Sequence, residues 1–187
     1  MILPIYAYGQ PVLKKRGDDI GPDYPNLAEL IEDMWETMYN AHGVGLAAPQ
    51  VGHSIRLFVI DTLQMGKETE GSKGGIKKVF INAYMMDEAG DPWPYEEGCL
   101  SIPDIRGDVE RLPQVKLRYL DEQFQPFEEV FTGMEARVIQ HEYDHIEGRL
   151  FTERLKPIKK RLIQRKLENI RKGQVEVEYR MKFVRVP

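Results

Sequence analysis

The sequence predicts an α+β fold in a single domain with mixed and antiparallel sheets. Three observations predict it. Strand-like segments cluster between well-separated helical segments instead of alternating with them. The helical segments carry apolar residues at spacings of three and four. The last residues alternate apolar with charged, the mark of a strand with one buried face. A chain of 187 residues is close to the typical domain of about 150, so residues 1–187 are expected to form one unit. Hydrophobic residues make up 42%, enough for a real core.

The elements follow in order. A helix is expected over 26–40, where Leu27, Leu30, Ile31, Met34, Trp35 and Met38 form one stripe. Asn26 with Glu29 reads as its cap and Gly43 as its stop. A loop over 43–50 leads to a buried strand over 55–61. Segment 62–77, rich in Gly, Ser and charge, reads as an exposed loop. Further strands are expected over 78–84, 114–120 and 126–132. A second helix starts at Thr132, capped with Glu135, and ends at Gly148. A third runs over 157–172 and closes at Gly173. In the tail, Val175, Val177, Tyr179, Met181 and Phe183 form one apolar face, predicting a terminal strand packed on the body.

Composition excludes several classes. The net charge of -4 argues against nucleic acid as the main ligand, so no specific DNA binding is expected. No apolar run approaches the roughly 18 residues of a membrane helix, and the densest, Leu57-Phe58-Val59-Ile60, predicts no membrane contact. The opening Met1-Ile2-Leu3-Pro4-Ile5 lacks the pattern of a secretion signal. A single cysteine, Cys99, excludes an internal disulfide framework and fits a reducing compartment, the cytoplasm.

The strongest chemical signal is His141-Glu142-Tyr143-Asp144-His145, which holds half of the chain's 4 histidines. Residues four apart share a helix face, so both imidazoles reach one metal ion, and Glu142 is placed to act as general base on its water. Catalytic sites of this kind take three protein ligands and an open position. A third histidine six residues on, as in metzincin peptidases, is excluded, because that position holds Phe151. Glu168, on a later helix as in thermolysin-like peptidases, is one candidate, and its neighbours Lys166, Arg171 and Lys172 look solvated. Cys99, in Glu97-Gly98-Cys99-Leu100-Ser101 ahead of a loop-like Ser-Ile-Pro, is the other. A third segment, Gly43-Val44-Gly45-Leu46-Ala47-Ala48-Pro49-Gln50, has small residues that let backbone approach a substrate, and Gln50 offers an amide N–H to an oxyanion.

Together these three segments resemble the three signature motifs of the peptide deformylases, complete and in order. Weaker likeness includes Leu3-Pro4-Ile5, Tyr8-Gly9 and Phe80-Ile81-Asn82. The likeness does not extend to segment 62–77 or to the tail after Gly173; the expected fold packs its sheets around a central metal-binding helix, with a C-terminal helix and a terminal strand read from the residue pattern. The resemblance implies that Cys99, His141 and His145 hold the metal, with Glu142 as catalytic acid/base. Gln50 and the Leu100 backbone N–H would hold the formyl oxygen. The implied reaction removes the N-formyl group from the initiator methionine of nascent polypeptides and releases formate. The implied metal is Fe²⁺, with Ni²⁺, Co²⁺ or Zn²⁺ able to substitute.

Substrate contacts follow from spacing. Met134 and Val138 share the helical face of both histidines; they either wall an apolar pocket with Val44, beside the backbone of Gly43 and Gly45, or serve as ordinary core. Arg106 is a candidate for a substrate carbonyl or for a surface ion pair, and Asp144 for orienting an imidazole or for standing in solvent. Segment 156–172 carries eight Lys or Arg and one acidic residue, Glu168. Its stripe of Ile158, Leu162, Ile163, Leu167 and Ile170 is expected to dock it on the body, leaving its charge to meet the ribosome.

Overall fold

The computed structural model describes residues 1–65 and 74–185. The main sheet has five antiparallel strands in the order β2-β3-β4-β7-β8: Gly45–Ala47, Leu57–Asp61, Lys77–Ala89, Gln114–Leu120 and Pro126–Thr132. Strands β5 (Trp93–Cys99) and β6 (Ile102–Arg111) form a separate antiparallel hairpin, and β1 (Ile5–Tyr6) pairs in parallel with β9 (Met181–Lys182). Three helices complete the α+β architecture: α1 (Leu27–Asn40), α2 (Gly133–Ile146) and α3 (Pro157–Arg171). No described helix is long and apolar enough to cross a membrane.

The run Leu57–Ile60 explains the layering. Alternate strand residues face opposite sides. Leu57 and Val59 pack with Met34 and Met38 of α1, while Phe58 and Ile60 pack with Phe80, Val138 and Ile139 on the α2 side. Both faces of β3 are therefore covered, and every one of its residues is buried. A third cluster joins the hairpin, α3 and the chain ends through Leu13, Ile102, Val109, Phe151 and Ile163. Helix α2 lies between these bodies, against β2 and β3, and most of its residues are buried.

The three helices and the strands at 114–120 and 126–132 match the sequence expectations, and β4 runs on to Ala89. Their ends are made differently. Neither Asn26 nor Thr132 makes a side-chain cap bond: Asn26 takes the left-handed conformation (φ 56), and Thr132 is held in the ladder opposite Gln114. At the end of α1 it is His42 (φ 58), not Gly43, that turns left-handed. Gly43 serves close approach instead, because a Cβ there would lie 2.8 Å from Cδ1 of Leu100. Gly148 and Gly173 do follow their helices with φ of 75 and 76.

Four other expectations are corrected. The segment after Cys99 is not a loop: Leu100 and Ser101 make the turn of the β5–β6 hairpin and β6 starts at Ile102. The α3 stripe docks only in part. Ile163 and Ile170 are buried, but Ile158 and Leu162 are 74% and 71% exposed, because the helix meets β6 along one narrow face. The tail keeps its period of two but pairs only at Met181–Lys182. Its apolar face is divided, with Val175, Met181 and Phe183 on the third core while Val177 and Tyr179 face a cleft. Of the loop expected over 62–77, Thr62–Met65 is a 3₁₀ turn, and residues 66–73 lie outside the described residues.

Candidate metal centre and active-site cleft

Helix α2 and the turn of the β5–β6 hairpin meet at the floor of a cleft of about 730 Å³. The i, i+4 spacing puts His141 and His145 on one face of α2. From the hairpin comes Cys99, whose Sγ lies 3.4 Å from Nε2 of His145. One ligand atom from each of Cys99, His141 and His145 falls within 4.8 Å of the others. Beside them Glu142 is buried, and its Oε2 has no hydrogen-bond partner among the described residues. An orphaned buried oxygen is costly unless something else occupies the site. A thiol, two imidazoles and this carboxylate fit a divalent transition-metal ion with its water.

Charge is arranged to suit that role. Burial alone would raise the Cys99 thiol, but the charge of His145 and hydrogen bonds to His141 and His145 outweigh it and bring the thiol down to about 5. Burial raises the Glu142 carboxyl, against the opposing pull of His141 and His145. For His141, burial is overcome by Cys99 and Glu97, and its ring is raised well above the ordinary value.

Nδ1 of His141 lies 2.9 Å from Oε1 of Glu97, which leaves Nε2 as the free ring atom. Glu97 is itself clamped by Arg111 (2.7 and 3.0 Å) and Arg137 (2.9 Å). Its burial alone would raise its carboxyl. Hydrogen bonds from His141 and Arg111, with the charge of Arg111, hold it well below the usual carboxylate range. Asp144 neither orients an imidazole nor stands in solvent: it is buried, and its carboxylate receives Arg111 (3.0 Å) and Arg154 (2.7 and 2.8 Å). The sequence reading missed the parts of Glu97, Arg111 and Arg137. The available signal was an arginine on the inward side of an alternating strand, a buried charge that demands a partner.

The first motif builds the opposite wall. Gln50 is buried; its Oε1 accepts from the Ala47 N–H (3.0 Å), and its Nε2 donates to Ser101 Oγ (3.2 Å) and approaches Cys99 Sγ (3.5 Å). Gly45 sits against Glu142, and a Cβ there would meet Oε1 at 2.7 Å. Gly43, Val44, Gly45, Gln50, Leu100, Arg106, Met134 and Val138 all line the cleft with Cys99, His141 and Glu142. Arg106 is engaged by Glu96 (3.0 Å) at the rim. Glu168 is exposed on α3 and stands outside the Cys99, His141, His145 group, so the structure does not make it a third ligand.

An α+β fold that brings a thiol, two imidazoles and a buried carboxylate to the floor of one cleft defines a metal-dependent hydrolase. Known proteins agree. The polypeptide deformylase family model matches residues 2–161. Peptide deformylases of Flavobacterium johnsoniae and Christiangramia forsetii are 57% and 54% identical over 189 residues, covering 98% of this chain and 96% of each relative. A crystal structure of a peptide deformylase from Legionella pneumophila superposes with a TM-score of 0.80 at 37% identity, over 93% of this chain and 98% of that one. One from Plasmodium falciparum gives 0.81 at 31% identity, over 90% and 95%. The chain belongs to the peptide deformylase family.

Proposed function

We propose that this chain hydrolyses the N-formyl group of initiator methionine on nascent polypeptides, with residues 1–187 acting as one catalytic domain. The observation that carries the mechanism is the unpartnered, buried Oε2 of Glu142 beside the convergent Cys99, His141 and His145. These three residues would hold Fe²⁺, and the same N₂S donor set accepts Ni²⁺, Co²⁺ or Zn²⁺. When bound, the ion supplies Lewis acidity that polarises the carbonyl and lowers the pKa of water toward about 7. Glu142 takes a proton from the attacking water and delivers it to the methionine nitrogen as the amide breaks. Gln50 Nε2 and the Leu100 N–H donate to the formyl oxygen as charge grows on it. Glu97 holds His141 in one tautomer and orientation.

Substrate binding follows from the cleft wall. Val44, Met134 and Val138 offer the methionine side chain an apolar surface, Gly43 and Gly45 admit the backbone closely, and Arg106 stands at the rim for a downstream carbonyl. Helix α3 is the proposed ribosome contact: Lys159, Lys160, Arg161, Arg165 and Lys166 share its exposed surface with Ile158 and Leu162. A cytoplasmic location fits a thiol ligand that must stay reduced.

The test is formate release from formyl-Met peptides by anaerobically prepared protein, with the metal counted in the same sample. One metal per chain and a Glu142→Gln variant that keeps it while losing about 10²–10⁴ in kcat are expected. Full activity in that variant would falsify the acid/base role. For α3, reversing its exposed charges is expected to weaken cosedimentation with ribosomes, most at low salt; undiminished binding removes the proposed contact.

A further inference from the structure

The turn that carries Cys99 and Leu100 is fixed by groups far away in the chain. The β5–β6 ladder breaks register there, passing from the pair Gly98 and Arg106 directly to Cys99 and Ile102. Leu100 and Ser101 are left as a two-residue turn whose polar groups need partners from outside the hairpin. Ser101 Oγ accepts from Gln50 Nε2 (3.2 Å) and Ser101 O accepts from the Tyr8 N–H (2.9 Å). The third partner comes from the tail. The Tyr179 hydroxyl donates to the carbonyl oxygen of Leu100 at 2.6 Å, across 79 residues of sequence.

Tyr179 reaches this position because the segments around it are tied down. β9 pairs with β1 just beyond it, and Val175, Met181 and Phe183 pack on the third core. Between those anchors, Glu176 to Tyr179 form part of the cleft wall. The Tyr179 ring is half-buried, and burial raises its phenol above the ordinary value, so the hydroxyl keeps its proton near neutral pH.

We propose that Tyr179 is a positioning residue for deformylation: by holding the Leu100 carbonyl it aims the adjoining Leu100 N–H into the cleft. The inference rests on the reading of that N–H as an oxyanion donor. Peptide units are rigid planes, so fixing the Leu100 carbonyl leaves only the two dihedrals of Leu100 between the anchored plane and the donor plane. A donor held in place before charge develops stabilises the transition state more than the bound substrate. The effect therefore belongs in kcat.

Tyr179→Phe keeps the ring and its wall contacts and removes only the hydroxyl. The expected result is a kcat lower by about 3- to 10-fold, the size of one neutral hydrogen bond, with KM within about twofold. Bound metal per chain should match the unsubstituted protein, with Tm lower by about 2–4 °C at most, the cost of one hydrogen bond. A kcat equal to that of the unsubstituted protein overturns the positioning role and leaves the deformylase reading intact. So does a rate loss matched by equal loss of metal, which would assign the bond to holding Cys99. If the unsubstituted, metal-loaded chain releases no formate, the reading beneath the proposal fails and the proposal falls with it.

Discussion

At Gly45 one methyl group is enough to disturb the proposed chemistry. Its backbone is an ordinary strand residue paired with Ile60, so alanine suits the local conformation. The obstacle is Glu142, whose Oε1, Cδ and Cγ lie 2.7, 2.9 and 2.9 Å from where the Cβ would stand. Glu142 borders the cleft, so its side chain can make room only by shifting there, which carries the carboxylate off its position. Gly45→Ala is expected to lower kcat by about 10²-fold, as displacement of a reacting group by about 1 Å does, while the metal stays bound. Steady-state kinetics with metal analysis on one preparation checks this, and an unaffected kcat would show that Glu142 tolerates displacement. Residues of this kind differ in legibility. His141, Glu142 and His145 were readable because helix geometry by itself places them together. The same stretch of sequence named Gly45 only as small, since what it makes room for is a side chain 97 positions away.

The hairpin shows the corresponding limit for an element. Strand β6 alternates between buried and exposed, yet its inward positions include Gly107 and Arg111 as well as Ile105 and Val109, so the apolar pattern is broken. On β5 the inward Glu97 is charged. Both polar groups are tolerated because they meet: Arg111 bridges Glu97 on β5 and Asp144 on α2, and so joins the strand that carries Cys99 to the helix that carries His141 and His145. Removing one partner leaves buried charge uncompensated, which costs more than the pair contributes. Arg111→Met is therefore expected to destabilise the fold by about 3–5 kcal/mol in equilibrium denaturation, despite its similar length. A loss below about 1 kcal/mol would mean that Arg137 and Arg154 suffice for the two carboxylates.

Over the whole molecule, several partly buried, hydrogen-bonded phenols tie alkaline stability to tyrosine ionisation. Burial and a 2.6 Å hydrogen bond to Asp61 raise Tyr39 from 10.0 to about 12. A folded-state value above the unfolded one means that folding favours the neutral phenol. That contribution is complete below about pH 10 and is lost as pH rises through about 12. Tyr39→Phe should flatten the fall of unfolding free energy over this window, and identical pH profiles for the two proteins would remove the link. The division between sequence and structure follows the range of the forces involved. Sequence alone determined what local geometry enforces: the helices from a 3.6-residue period, the buried β3 from its unbroken apolar run, and a two-histidine face with a carboxylate beside it. It also carried the three motifs by which the chain resembles its family. Only the tertiary structure decided that Glu97 holds His141, that Arg111 and Arg154 claim Asp144, that Ile158 and Leu162 face outward, and that the tail returns Tyr179 to the turn at Leu100. Backbone periodicity repeats every few residues and leaves a signal along the chain. A buried polar group shows along the chain only as a charge at an inward position, and its partner, chosen at any sequence distance, leaves no periodic mark.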